Sequence, residues 1–446
     1  MEALNDLITN YNAAREALPW LDCYVSELPA QFPGASTELT TDAVKLTREG
    51  RIRLVIQTEH SFEEIAAMAA AAPETNFILA SGERKLLYHF AIIEKLLESV
   101  PNLYLANANF CSMLGLERLV AAGVGSKLLY GSMMPYLDAG QSRGPVILGH
   151  FDWATKCAIA GNNFRRLLGR PPVLPPEVKF APVRPFIVDA HTHTVEAFTP
   201  VRFPAPGANA DWEVWRPTMD TYGTEYFVCV PSDATRDCRK HTSRSLIAGM
   251  AAASGGRVRY LEAFDPRSVD YCVRECSESL ADSKCVGLKI HPASHQTYAS
   301  DERYAKAFEL AGKFGKVVMT HSWGISDYNP TQKFSTPLLF DRHCAAYPDT
   351  KFVLGHMGGR PNGFPEAVEM CRKYGNVRVD LAGDFFHNGV IAAAVEQIGA
   401  DKILFASDLF WIDPRCTLGM LLESALSGTD LMKILRTNAL EFYLNA

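Results

Sequence analysis

Short apolar runs alternate with longer helical stretches along most of the chain. In residues 186–446 the runs are FIVDA (186–190), EYFVCV (225–230), RVRYLEAF (257–264), CVGLKI (285–290), KVVMT (316–320), KFVLG (351–355), VRVDLA (377–382) and KILFA (402–406). Between them lie segments with helical spacing, such as DERYAKAFELAGKFG and FPEAVEMCRKYG. Runs that are apolar throughout predict strands buried on both faces, and repeated strand–helix–strand order predicts a parallel sheet. Eight such strands in about 250 residues fit an α/β (β/α)8 TIM barrel better than a doubly wound open sheet.

The first 170 residues hold four convincing runs: RLVIQT (53–58), NFILAS (76–81), NLYLAN (102–107) and KLLYGS (127–132). They match the last four runs of the larger part. The register is an offset of 275, pairing Ser81 with His356, Met133 with Asp408 and Asn163 with Asn438. A degenerate half-barrel repeat of four βα units is therefore expected over residues 1–170. Its counterpart of His321 falls at Thr58 or His60, and no HxH strand is evident, so it cannot complete a metal site of its own. Four parallel strands leave open edges that must be covered, and the amphipathic segment at residues 3–18 is one available cover. Residues 171–185 belong to a stretch with six prolines, RPPVLPPEVKFAPVRP, which proline geometry excludes from helix interior and central strand. They form the expected linker to the barrel at 186–446.

Polar residues of interest cluster where the strand runs of the larger part end. His191 and His193 close the first run, Lys289 and His291 the fourth, His321 the fifth, His356 the sixth and Asp408 the eighth. Residues i and i+2 of a strand face the same way, so His191 and His193 can reach one point. Active sites of such barrels lie at this end of the strands. A lone histidine there is most often packing. Five histidine or aspartate side chains at the ends of four strands are hard to explain structurally, because buried ionisable groups are costly without partners. Three imidazoles and one carboxylate suffice to hold Zn²⁺ with room left for water.

Composition narrows the class of partner. A net charge of −6 provides no footprint for nucleic acid, and no apolar run is long enough to span a bilayer. The N-terminus lacks the basic and apolar regions of a signal peptide, and the 11 cysteines show no CxxC pair of metal-finger spacing. A cytoplasmic protein with reduced thiols, acting on a small molecule and assembling as a homo-oligomer, is expected.

In order, FIVDAHTHT, GLKIHP, VVMTHS, FVLGHMGG and ILFASDLFW resemble the amidohydrolase-related group of the amidohydrolase superfamily. TMDTYGTEYFVCVPS and LMKILRTNALEFYL add to the resemblance, which covers about residues 186–446. That group includes metal-dependent hydrolases, lactonases and non-oxidative decarboxylases. The resemblance implies one divalent metal, Zn²⁺ or Mn²⁺ in its place, on His191, His193, His321 and Asp408. It also implies catalytic roles for Asp408 and His356. In binuclear members of the wider superfamily a carboxylated lysine bridges two metals, and Lys289 with His321 and His356 has the residue types for that. The GLKIHP-type segment accompanies one metal, so a mononuclear site is expected, with Lys289 against a substrate anion or Asp408. His291, before Pro292, is expected to make a structural hydrogen bond. Arg360 is placed to pair with a substrate carboxylate, and Trp323, Trp411, Phe385 and His387 follow strand ends. Hydrolysis of a lactone, amide or ester by metal-activated water is the expected reaction. A metal-dependent lyase, either decarboxylase or hydratase of a carboxylated substrate, is the alternative, and a non-catalytic pseudo-barrel the second.

Overall fold

The computed structural model describes residues 1–24, 45–193, 212–231, 235–239 and 241–444. Two parallel sheets organise them. Strands β1 (Ile52–Ile56), β2 (Asn76–Ala80), β3 (Leu103–Ala106) and β4 (Leu128–Leu129) form the first, in that order. The second contains β5 (Ile187–His193), β6 (Thr224–Val230), β7 (Val258–Ala263), β8 (Cys285–Ile290), β9 (Val317–His321), β10 (Lys351–Gly355), β11 (Val377–Asp380) and β12 (Ile403–Leu404), again in sequence order. Backbone bonds from Ala190 to Phe405 (3.0 Å) and from Asp408 to His191 (2.9 Å) join its two ends and close a TIM barrel. Strand residues are buried on both faces, as their unbroken hydrophobicity predicts. Val188, Val228, Val286, Val353 and Leu404 pack in one cluster with the C-terminal Phe442 and Tyr443. Phe227, Leu288, Phe352 and Val379 join the cluster shared with the surrounding helices.

The smaller sheet repeats the second half of the barrel down to individual hydrogen bonds. Asn163 Nδ2 donates to the carbonyls of Gly125 (3.0 Å) and Leu128 (2.8 Å). Asn438 Nδ2 donates to those of Ala400 and Ile403, both at 2.7 Å. All three pairs of positions differ by 275. Single π-turns occupy Ala158–Asn162 and Lys433–Thr437 at the same offset.

Two details depart from the sequence expectation. Strand register pairs Ile56 with Ala80 and His321 with Gly355, so Ile56, not Thr58 or His60, is the counterpart of His321. The half-barrel also retains a vestige of a first strand. Cys23 N–H donates to Tyr130 O (2.9 Å) and Met133 N–H to Tyr24 O (2.8 Å). The Asp22 carboxylate accepts from the Ser132 backbone and hydroxyl, as Asp189 does from Ser407. Asp22 and Tyr24 thus stand where the barrel has Asp189 and His191. This segment covers the β4 edge that four strands alone would leave open.

Helix α1 (Glu2–Ala17) buries Tyr11 and Ala14 against Ile147, Cys157 and Ala160. Its Asn10 side chain exchanges two hydrogen bonds with the Ala181 backbone, and Trp153 Nε1 donates to Pro175 O. The proline-rich segment is therefore pinned to the half-barrel. Helix α2 (Gly140–Ile147) crosses α3 (Pro414–Glu423), where a Cβ on Gly140, Gly144 or Gly419 would overlap the facing backbone. Among the described residues no helix is long and apolar enough to cross a membrane.

Candidate functional site

Strand β5 carries His191 and His193 to the mouth of the barrel, and the turn after β12 brings Asp408 beside them. His193 Nε2 lies 2.9 Å, and His191 Nε2 3.6 Å, from Asp408 Oδ1. Ligand atoms of these three side chains all fall within 4.8 Å of one another. Asp408 has φ 64° and His356 φ 69°, a left-handed conformation that non-glycine residues adopt only when the surroundings enforce it. His356 N–H donates to Asp380 Oδ1 at 2.7 Å, and its Nδ1 is 3.9 Å from Asp408 Oδ2. His356 Nδ1 is buried and makes no hydrogen bond.

Asp380, at the end of β11, organises this floor. It is fully buried, and its Oδ2 accepts from His191 Nδ1 at 3.0 Å. That bond fixes the ring and leaves Nε2 as the basic nitrogen. His191, His356 and Asp380 form a second group of compatible spacing. The aspartate in the VRVDLA run is the sequence signal for it, and the strand-end reading passed over it.

The other expected residues are distributed around the pocket. Lys289 Nζ lies 3.0 Å from His191 Nε2 and feels the charge of Asp408. His321 belongs to neither close group. Its Nε2 pairs with Gln332 Oε1 at 3.0 Å, and its ring stacks on His291 with centroids 4.2 Å apart. His291 Nδ1 accepts from the Ser294 N–H, the structural bond expected of it. Trp323 stacks parallel to His321, and the Arg360 guanidinium lies over Trp323 at 4.8 Å. Arg360 donates to Asp384 and to the Tyr328 hydroxyl. Trp411 also lines the pocket, while His387 packs on Tyr136 of the half-barrel.

The electrostatics suit a divalent cation. Burial, reinforced by Lys289, pushes His191 well below the usual histidine range, and burial brings His356 down to about 4. Burial and the neighbouring His356 likewise keep His321 neutral. Burial opposes ionisation of Asp408, yet the imidazoles of His356, His193 and His191 hold its carboxyl well below the ordinary range. Neutral His191 and His321 beside an ionised Asp408 are the protonation states that metal ligands require. Burial lowers Lys289 to about 8, and its amine stands 3.0 Å from His191 Nε2, the nitrogen that would hold an ion in its place.

The site opens into a cavity of about 550 Å³. One wall belongs to the half-barrel, through Gln57, Arg84, Lys85, Tyr88 and His89. No motif in the sequence tied these residues to the barrel.

A sequence profile described as amidohydrolase matches residues 188–444. No curated protein sequence matches the chain. The barrel is similar to 2,6-dihydroxybenzoate decarboxylase from Rhizobium, at 17% identity and TM-score 0.45, over 58% of this chain and 99% of that one. It is similar to 5-carboxyvanillate decarboxylase from Sphingomonas paucimobilis, at 15% identity and TM-score 0.45, over the same shares. A dihydroxybenzoic acid decarboxylase from Polaromonas, solved with manganese and an inhibitor, gives 17% identity and TM-score 0.44, over 58% and 98%. With the profile spanning more than half of the sequence, this chain belongs to the amidohydrolase family.

Proposed function

We propose that the chain is a metal-dependent hydrolase of a small organic substrate such as a lactone, amide or ester. The observation that carries this is the convergence of His191, His193 and ionised Asp408 at the floor of a large cavity, with Asp380 fixing the His191 tautomer. A divalent ion held there, Zn²⁺ or Mn²⁺, supplies a water whose pKa is lowered towards neutrality. Asp408, ionised and within hydrogen-bond reach of His193, is placed to accept the water's proton and return it to the leaving group. Neutral His356, with a free Nδ1, is placed to orient the substrate carbonyl or hold the water. His321 is assigned as a ligand by the family pattern; with Nε2 engaged by Gln332, either its Nδ1 would bind the ion or that bond would open. A mononuclear centre remains the reading, with Lys289 an uncarboxylated amine 3.0 Å from His191 Nε2.

Elemental analysis of the purified protein tests the centre, with one equivalent of Zn²⁺ or Mn²⁺ expected per chain. His356→Asn should keep that metal and lower kcat on a responsive lactone or ester by about 10²-fold. Loss of the metal with the imidazole would make His356 a ligand. Two equivalents with a carboxylated Lys289 would establish the binuclear variant.

A second reading, a lyase acting on a carboxylated substrate, is favoured by the cationic side chains at the mouth, Arg84, Arg236 and Arg360. Release of CO₂ from aromatic or enol carboxylates, with lactones and esters untouched, would select it.

A further inference from the structure

The two copies face each other across a local twofold relation. Helices α2 and α3 are counterparts at the offset of 275; Gly140 lies against Gly419, and Gly144 against Arg415. Ser112 bridges to Ile412 while Leu137 bridges to His387, each pair being the other with its members exchanged. Asp138 N–H donates to Phe386 O at 2.8 Å, and its counterpart Asp413 N–H to Cys111 O at 2.9 Å. Contacts in which i meets j and j meets i define an isologous interface. The half-barrel therefore stands where the second subunit of a symmetric dimer would stand, fixed within one chain.

This placement delivers residues 84–88 to the barrel's pocket. Lys85 and Arg360 occupy the same position in the two copies, and both converge on Asp384, at 3.0 and 3.1 Å. Burial resists ionisation of Asp384, but Lys85 and Arg360 hold its carboxyl far below the ordinary range. Arg84 lies over the Tyr328 ring at 4.6 Å, and the Tyr328 hydroxyl in turn accepts from Arg360. Tyr88 stacks edge-on against Trp411 with centroids 5.7 Å apart. Lys85 and Arg360 thus pair with Asp384, while Arg84 and Arg236 line the same pocket. A low-dielectric cleft lined by one sign of charge attracts ligands of the other.

We propose that the half-barrel completes the barrel's substrate site. Arg84 and Tyr88 bind substrate, Lys85 positions Asp384 and through it Arg360, and the substrate class is a small organic acid whose carboxylate lies remote from the metal. The proposal rests on the assignment of this pocket as the substrate site, but not on which bond is broken there.

Calorimetric titration of the full-length, metal-loaded protein with benzoate and with benzene-1,3-dicarboxylate separates the two carboxylates. The dicarboxylate should bind about tenfold tighter, since a charge-assisted arginine contact is worth that order. Arg84→Ala should erase the difference, and Arg84→Glu should reverse it. Lys85→Met should weaken dicarboxylate binding, and Lys85→Arg should restore it, which a general packing defect would not allow. Arg53→Ala, on the half-barrel outside the pocket, serves as the control and should match wild type. Equal affinities for the two acids in wild type, or wild-type discrimination in Arg84→Ala, overturns the proposal. Arg84-dependent discrimination in a protein that hydrolyses no ester or lactone upholds it while removing the hydrolase reading.

Discussion

The two copies of the half-barrel share their scaffold and differ at their mouths. Asn163 and Asn438 cap equivalent carbonyls, and Asp22 and Asp189 hold equivalent serines. At the site positions, Tyr24 replaces His191, Ile56 replaces His321, Ser81 replaces His356 and Met133 replaces Asp408. Even the backbone is kept, since Met133 and Asp408 are both left-handed, at φ 58° and 64°. Buried backbone groups must be hydrogen-bonded wherever the fold persists, so the residues that satisfy them are held in both copies. The candidate ligand side chains instead bond to other side chains, His191 to Asp380 and His193 to Asp408. Where no metal is bound, apolar replacements cost the scaffold little. At Ser81 the replacement stays polar, and its hydroxyl turns back to the Gly82 and Ala108 carbonyls.

The largest contrast is at Met133 and Asp408. Asp408→Asn should lower turnover by roughly 10³-fold or more and reduce metal occupancy, because it removes both a ligand and the proposed base. Met133→Leu should change neither. Activity and metal content measured side by side check this, and a matching loss in Met133→Leu would mean that the half-barrel is catalytically engaged.

The next contrast lies at the interface. Arg415, 2% exposed, pairs with Asp413 and Glu117, whereas its counterpart in the half-barrel is Gly140. Arg415→Met leaves buried Asp413 and half-buried Glu117 without a cation. A loss of about 3–5 kcal/mol is expected in denaturation experiments. Restoration by the added Glu117→Gln would show that the stranded charge is responsible.

Asn163 and Asn438 sharpen the comparison because their structural task is the same. Each alanine variant strands two carbonyls and should cost about 2 kcal/mol of stability. Only Asn438→Ala should also lower kcat, because its carbonyl partners, at Ala400 and Ile403, lead into β12 and the Asp408 turn. Equal kinetic effects would show that the half-barrel transmits strain to the site.

Much of this was legible in the sequence because strands buried on both faces leave unbroken apolar runs. All eight barrel strands and four half-barrel strands lie within or beside those runs. The HxH pair and Asp408 were legible as polar residues ending such runs. The counterpart of His321 was not, because the connections differ in length: β1 to β2 advances from Ile52 to Asn76, but β9 to β10 from Val317 to Lys351. Only hydrogen-bonded register resolves such a gap. The strand vestige at Asp22–Tyr24 carries too few apolar residues for periodicity to register. The Arg84–Tyr88 wall depends on the docking of two copies, which a pattern within one copy does not encode. His321 sits at the right strand end, but its Gln332 bond comes from a short helical turn, Pro330–Phe334, 11 residues on.

The smallest effect concerns Asp138 and Asp413, which meet the facing copy in the same way. Asp413 has Arg415 as its cation, while Asp138 has glycine at that position and receives the Gly140 N–H at 2.8 Å. Burial consequently raises Asp138 to about 6, against a small opposing contribution from backbone N–H groups. A carboxyl whose folded pKa exceeds its unfolded value stabilises the fold while protonated. That contribution is complete below about pH 4 and is lost as pH rises through about 6. Asparagine keeps the accepting oxygen without the charge. Asp138→Asn should therefore be more stable than wild type at neutral pH, with an advantage about 1 kcal/mol larger at pH 7 than at pH 5. Asp413→Asn should instead destabilise at both pH values, because it leaves Arg415 underpaired. Thermal midpoints of the two variants against pH decide the matter, and a pH-independent advantage for Asp138→Asn would show that hydrogen bonding at this position, and not ionisation, sets its contribution.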